Sequence, residues 1–192
     1  SKLLEVSLYV YITSGLFIVT MNGIRQCLAA AIIFTATTYL FEGKFAKYAL
    51  VILIASLFHT TAFIMIPIYF IVRRKAWSWP TVLVLSLAVL VVIGFNQFST
   101  ILFSVIENTQ YGDYSEFNEG GSSMFRVVAS AIPLLIAFLG REKLREVCPY
   151  GDYVVNLCTL GLVFMMISTQ NWIFARFSIY FNLYALVLVS WM

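Results

Sequence analysis

Four ionisable side chains lie inside otherwise apolar stretches of the sequence. They are Arg25, His59, Arg126 and Arg176. An ionisable group held in hydrocarbon is costly and is usually functional. Arg25 and Arg126 stand in the first turns of their predicted helices, so snorkelling to the head groups is an equal alternative to function there. Arg176 is too deep for snorkelling, and Tyr180 follows it by one turn, so we expect these two residues to share a helix face.

Arginine and histidine together favour one kind of chemistry. The planar guanidinium group donates two parallel hydrogen bonds to a phosphate, so several arginines around one cavity predict an anionic, lipid-linked substrate such as a diphosphate. His59 lies near the middle of its apolar segment. Histidine is often a packing residue, but hydrocarbon offers it few partners, so we favour a role as general acid or base.

One polar segment, residues 107–123, interrupts the apolar pattern and has no Lys or Arg before Arg126. Its acids are Glu107, Asp113, Glu116 and Glu119. We list all four as candidate substrate-binding residues, because carboxylates bind sugar hydroxyls and can activate an acceptor hydroxyl. For any single one of them, an ordinary solvated loop is the simpler interpretation.

No sequence pattern supports a protease, a metal site or nucleic-acid binding. Ser56 precedes His59 by about one turn, but no serine stands in a GxSxG motif, so an intramembrane protease is a weak interpretation. Cys27, Cys148 and Cys158 have no metal-ligand spacing, and with one histidine we expect no metal and no cofactor. The net charge of +3 comes from bases scattered over loops and helices, which does not suggest a nucleic-acid partner.

The composition requires a bilayer around these residues. The chain has 192 residues, of which 61% are hydrophobic and 11% are charged, and its mean hydropathy is +0.92. A soluble domain is about 25% charged, so this chain cannot cover itself with polar surface. We therefore predict an integral membrane protein with the lipid bilayer as its partner.

The apolar segments predict an all-α polytopic membrane helix bundle of about seven spans. The segments are 3–20, 24–41, 45–72, 81–106, 124–139, 153–169 and 172–192. Segment 45–72 is either one tilted helix or two half-helices bent near His59 and Pro67, and segment 81–106 is expected to break near Gly94. We predict a charged loop at 141–146. The whole chain, 1–192, is interpreted as a single transmembrane domain with an outer loop at 107–123.

The positions of the bases predict the orientation. Short cytoplasmic loops are rich in Lys and Arg. Segments 73–75 and 141–145 are the basic clusters, so we place both in the cytoplasm and the acidic loop outside. If 45–72 is one span, segment 42–47 is outside and Arg25 is inside. If 45–72 is a bent hairpin, these two sides are exchanged.

Several motifs resemble one known family. They are Asn-Gly-Ile-Arg-Gln at 22–26, Leu-Phe-His-Thr-Thr-Ala at 57–62, the stretch 122–126 with Ile-Pro at 132–133, and Arg-Phe-Ser-Ile-Tyr-Phe at 176–181. This set resembles the EpsG family, a branch of the Wzy-like polymerases of bacterial exopolysaccharide and capsule. The Arg-Gln and Phe-His motifs are the most specific part. Members of that family are usually longer, so we expect this chain to be a C-terminal fragment.

The resemblance implies a GT-C-like polymerase. Such an enzyme moves a growing glycan from undecaprenyl diphosphate to a fresh lipid-linked repeat unit, on the outer face of the bacterial cytoplasmic membrane. The residues carried over as candidate catalytic groups are His59, Arg176 and Arg25. The candidate substrate-binding residues are Arg126, Gln26 and Tyr180, besides the four acids. An outer site needs Arg25 beside Arg176, which requires either a bent 45–72 segment or a re-entrant 22–41 segment.

Two alternatives stay open at this point. A transporter or flippase of lipid-linked oligosaccharides would also line its cavity with arginines. A non-catalytic subunit of a polysaccharide-assembly complex, bound to other assembly proteins, would use the polar residues only for packing. Of the three, a polymerase is the one that needs an acceptor-activating base beside the arginines.

Overall fold

The computed structural model describes residues 2–106 and 120–191, and every regular element in these ranges is a helix. The all-α prediction is therefore confirmed. The α-helices are α1 Lys2–Thr13, α2 Leu16–Asn22, α3 Ile24–Thr35, α4 Thr37–Glu42, α5 Phe45–Ser56, α6 Met65–Val72, α7 Trp79–Ile93, α8 Phe95–Ile106, α9 Met124–Leu139, α10 Arg141–Val147, α11 Gly151–Ile167 and α12 Ile179–Trp191. Two 3-10 helices, Thr60–Ile64 and Trp172–Arg176, precede α6 and α12.

Sharp bends divide several of the apolar segments. Within the described ranges, no single helix is both long and apolar enough to cross a bilayer, but three helix pairs meet this requirement together. The pairs are bent by 66° between α1 and α2, by 92° between α7 and α8, and by 80° between α9 and α10. The expected break near Gly94 is confirmed by the second bend. The number of spans stays a prediction.

The charged segment after α9 differs from its prediction. Residues Arg141–Val147 form the helix α10, so the loop predicted at 141–146 is wrong. Arg, Glu, Lys and Leu are all strong helix formers, which explains why this segment is helical. The charged side chains of α10 lie at one end of the bundle, where Arg145 pairs with Asp152 at 3.1 Å.

Segment 45–72 folds back on itself as a helical hairpin. The rings of Phe45 and Phe70 lie 5.1 Å apart, and the Tyr48 hydroxyl donates to the Met65 carbonyl at 3.2 Å. One straight helix would separate residues 45 and 70 by about 37 Å. The turn falls at 57–59, where His59 is extended with φ −153° and ψ 115°. Pro67 lies within α6, so the break is at His59 and not at Pro67.

The hairpin gives the bundle two chemically different ends. At one end, Arg25 Nε donates to the Phe58 carbonyl at 3.4 Å, beside His59. At the other, Arg73 donates to the Leu40 carbonyl, and Arg145 Nη2 donates to the Ala76 carbonyl at 3.3 Å. We call this second end, which holds both basic clusters, the basic end. It lies opposite Arg25 and His59, as the hairpin alternative requires.

Helices α11 and α12 pack closely at the centre of the fold. A Cβ on Gly161 would lie 2.9 Å from the Phe181 Cβ, so glycine permits this close approach. The Phe164 ring stacks on Phe177 at 5.3 Å and on Phe181 at 5.8 Å. This packing fixes the start of α12, and with it the 3-10 helix that carries Arg176.

Candidate functional site

A cavity of about 1210 Å³ opens between α1, α2, α3, α9, α11 and α12. Its wall includes all four of the ionisable residues that the sequence places in apolar segments, Arg25, His59, Arg126 and Arg176. They come from four separate parts of the chain: the start of α3, the turn of the hairpin, the first turn of α9 and the 3-10 helix before α12. The cavity therefore joins residues that are far apart in sequence.

Arg176 reaches the cavity from an irregular segment. The Asn171 side chain accepts a hydrogen bond from the Ile173 amide at 3.0 Å and so begins the 3-10 helix Trp172–Arg176. The Arg176 guanidinium lies over the Trp172 ring, 5.1 Å from its centre. Stacking on an aromatic face holds the guanidinium in place and leaves its donors free for an anion.

The predicted shared face of Arg176 and Tyr180 is wrong. Arg176 is exposed in the cavity, whereas Tyr180 is buried and does not line it. The 3-10 helix ends at Arg176 and α12 begins only at Ile179. The four-residue spacing rule holds for a continuous α-helix, and here the helix type changes between the two residues.

Gln26 holds the backbone beneath Arg176. Its Nε2 donates to the Arg176 carbonyl at 2.8 Å, and the side chain is only 4% exposed. Arg25, the residue before it, extends into the cavity. The Arg-Gln pair thus contributes one cation to the cavity and one bond that ties α3 to the 3-10 helix. The role of Gln26 in substrate binding stays a prediction.

His59 is held by two hydroxyl groups. Its Nδ1 lies 2.7 Å from Thr61 Oγ1 and 3.3 Å from Tyr180 Oη. The two hydroxyls are themselves 2.7 Å apart. No pattern in the sequence assigned a role to Thr61, although it stands two residues after the histidine in the Phe-His motif. A role for Tyr180 in substrate binding stays a prediction; the structure shows it behind His59.

The start of α9 is clamped to the segment before the Arg176 helix. The Ser122 amide donates to the Ser168 carbonyl at 2.7 Å, and the Trp172 amide donates to the Gly120 carbonyl at 3.2 Å. Between them, a Cβ on Gly121 would overlap the Thr169 backbone, so only glycine fits. These bonds fix the backbone that leads to Arg126 against the backbone that leads to Arg176.

The cavity arginines have no carboxylate partner among residues 2–106 and 120–191. The ion pairs in these ranges, Glu42–Lys44 and Arg145–Asp152, both lie at the basic end. Within the same ranges, no three His, Cys, Asp or Glu side chains are grouped to hold a metal ion. The four candidate acids, Glu107, Asp113, Glu116 and Glu119, lie outside the described residues, so their roles stay predictions.

Comparison with known proteins agrees with this architecture. The family model described as the EpsG family matches residues 1–192, the whole chain. No curated protein and no solved structure matches this chain. The apolar helices and bent helix pairs fit a membrane protein. Because the match covers the whole sequence, this chain belongs to the EpsG family and is a membrane protein of polysaccharide biosynthesis.

Proposed function

We propose that this protein is a polysaccharide polymerase, a glycosyltransferase-type enzyme that transfers a growing glycan from undecaprenyl diphosphate to a lipid-linked repeat unit. One observation carries the proposal: a single cavity joins Arg25, Arg126 and Arg176 to the only histidine of the sequence. The arginines supply positive charge for a diphosphate, and the histidine supplies a base for an acceptor hydroxyl.

The leaving group binds to the arginines. As the bond between the anomeric carbon and the diphosphate oxygen breaks, negative charge grows on that oxygen. Arg176 and Arg126 stabilise this charge, because fixed donors in a shielded site need no reorganisation during the reaction. The clamp between 120–122 and 168–172 keeps their backbones in register. Arg25 binds a second phosphate or braces the cavity wall.

The acceptor approaches from the opposite face of the sugar. Its hydroxyl attacks the anomeric carbon in an inverting displacement, and its proton passes to His59 or to an acid of 107–119. His59 Nδ1 is engaged by hydroxyls, so Nε2 is the nitrogen that would take the proton. The positive charge at the site comes from the arginines, and the proposal needs no metal.

The apolar part of the cavity fits a prenyl chain. Val10, Leu16 and Val19 line it from α1 and α2, and Val189 lines it from α12. A cavity with apolar walls and a cationic end matches a lipid with an anionic head group. The basic end would face the cytoplasm and the arginines would face outward, in the bacterial inner membrane, where other polysaccharide-assembly proteins are potential partners.

Complementation of a capsule-deficient strain tests this function. Arg176→Ala and His59→Ala should each reduce polymer by about 100-fold or more, since each removes a group that acts in the transition state. Single repeat units should still reach the outer face. Arg141→Ala is the control, because Arg141 contacts the Phe138 ring at the basic end, 5.0 Å from its centre, and should leave polymer unchanged.

The outcomes separate the three functions. Export of single units without polymer marks a polymerase. Repeat units that accumulate inside the cell would refute the proposal in favour of a flippase. Normal polymer from both variants would also refute it, because a non-catalytic assembly subunit tolerates the loss of either side chain.

A further inference from the structure

We infer that Thr61 and Tyr180 select the tautomer of His59, so that Nδ1 carries the proton and Nε2 presents its lone pair to the cavity. Thr61 and Tyr180 are then positioning residues. The use of this lone pair in acceptor activation rests on the proposed polymerase function, whereas the tautomer itself does not.

The contacts form a closed triangle on one side of the imidazole. Thr61 Oγ1 lies 2.7 Å from His59 Nδ1, Tyr180 Oη lies 2.7 Å from Thr61 Oγ1, and Tyr180 Oη lies 3.3 Å from Nδ1. Tyr180 is 1% exposed and belongs to the packed start of α12. Because the two ring nitrogens point in different directions, Nδ1 turned toward Tyr180 leaves Nε2 turned to the cavity that His59 lines.

The surroundings decide which nitrogen holds the proton. Arginine is a donor only, and Arg25 and Arg176 share the cavity wall with His59. An N–H at Nε2 would add a third donor to this side, whereas a lone pair there faces the positive charges favourably. A hydroxyl both accepts and donates, so Nδ1–H can donate to Thr61, and Thr61 can donate to Tyr180. These two hydrogen bonds give Nδ1–H a partner without placing a further donor in the cavity.

The local backbone brings Thr61 to His59. His59 itself is extended, and Thr61 lies in the first turn of the 3-10 helix that follows. The bend brings Oγ1 of residue 61 back to the ring of residue 59. In histidine-dependent catalysis the partner of the second nitrogen fixes the tautomer, and its removal costs about 10- to 100-fold, or up to about 10⁴-fold where the wrong tautomer results.

The sequence makes the tautomer directly measurable, because it contains a single histidine. Protein labelled with 15N-histidine gives one imidazole, whose neutral form shows by NMR which nitrogen is protonated. At alkaline pH we expect Nδ1–H in the wild type. Thr61→Val, which removes the hydroxyl at nearly constant volume, should shift the population toward Nε2–H, and Thr61→Ser should restore Nδ1–H.

A matched control lies one turn further along α12. Thr37 Oγ1 and Tyr184 Oη form another hydroxyl pair, 3.0 Å apart, and neither residue lines the cavity. Thr37→Val, in α4, removes a hydroxyl that bonds to a tyrosine of α12 and leaves the contacts of His59 in place. It should leave the imidazole signals unchanged, so a shift caused merely by loosening α12 would be recognised.

Kinetics complete the test. Thr61→Val should lower kcat for polymerisation by about 10- to 100-fold, with KM for the lipid-linked unit nearly constant, and Thr61→Ser should recover most of the rate. Nε2–H in the wild type, or an unchanged tautomer in Thr61→Val, overturns the inference. A tautomer that responds to Thr61 while the polymerisation rate does not would support the inference and refute the role of His59 as the acceptor's base.

Discussion

The bond between Gln26 and Arg176 allows the sharpest prediction about how the site is held together. Gln26→Leu keeps nearly the same volume and removes the Nε2 donor, which is 2.8 Å from the Arg176 carbonyl. Since the side chain is only 4% exposed, water cannot readily replace the lost donor. Leaving a buried carbonyl without its partner costs about 1–3 kcal/mol, and we expect the free energy of unfolding to fall by this amount.

The effect on activity should be separate from the effect on stability and of similar size in free energy, since a tenfold loss of rate corresponds to about 1.4 kcal/mol. The carbonyl that Gln26 holds belongs to Arg176 itself, so its release lets the guanidinium move relative to the rest of the cavity. A displacement of about 1 Å at a catalytic group can cost about 100-fold in rate. We therefore expect Gln26→Leu to lower polymer formation per folded molecule by about 10- to 100-fold. Thermal unfolding in detergent gives the stability, and reconstituted polymerisation gives the rate.

Asn156 provides the matched control. Its Nδ2 donates to the Val72 carbonyl at 3.0 Å and to the Arg74 carbonyl at 2.7 Å, so Asn156→Leu removes the same type of buried bond at the basic end. This variant should lose at least as much stability as Gln26→Leu and keep its activity per folded molecule. Equal losses of specific activity in the two variants would show that Gln26 contributes only general stability, and the reasoning would fail.

Three further changes, with one control, test the packing and an ion pair. Gly121→Ala should break the two backbone bonds beside it, lower stability by about 1–3 kcal/mol and reduce polymer formation. Gly140→Ala is its control: it lies at the other end of α9, its added Cβ would meet nothing closer than 3.5 Å, and it should change neither stability nor polymer formation. Gly161→Ala should force α11 away from Phe181 and cost about 1–3 kcal/mol in thermal unfolding. Asp152→Asn removes a partly exposed ion pair at the basic end, so it should cost less than about 1 kcal/mol in thermal unfolding and leave polymer formation unchanged.

The sequence predicted the features that depend on local composition. The apolar segments predicted an all-helical chain, and Gly94 predicted the bend between α7 and α8. The breaks within 3–20, 24–41 and 172–192 were not predicted. Arg25, His59, Arg126 and Arg176 could be recognised as a set because an ionisable side chain in an apolar segment is costly wherever it lies. That they share one cavity was an expectation from chemistry, and the structure supplies the geometry.

The features that the sequence left open depend on contacts between distant residues. A straight span and a hairpin have the same composition over 45–72, and they differ in contacts between distant residues such as Phe45 and Phe70. The bond from Gln26 joins residues 150 positions apart, so no local pattern reveals it. The error over Arg176 and Tyr180 has a different cause, because helical periodicity fails where a 3-10 helix ends before an α-helix begins.

The turn of the hairpin at 57–59 has a consequence for the shape of the cavity. Residues 57–59 lie outside the helices, and His59, in this turn, lines the cavity. Non-helical backbone is tolerated at membrane depth only where protein or water supplies partners for its polar groups. Here protein supplies them, because the amides of residues 57–59 donate to carbonyls of α5 and the Phe58 carbonyl accepts from Arg25. One cation of the cavity thus also closes the turn that presents His59, so a substitution at Arg25 should change the shape of the cavity as well as its charge.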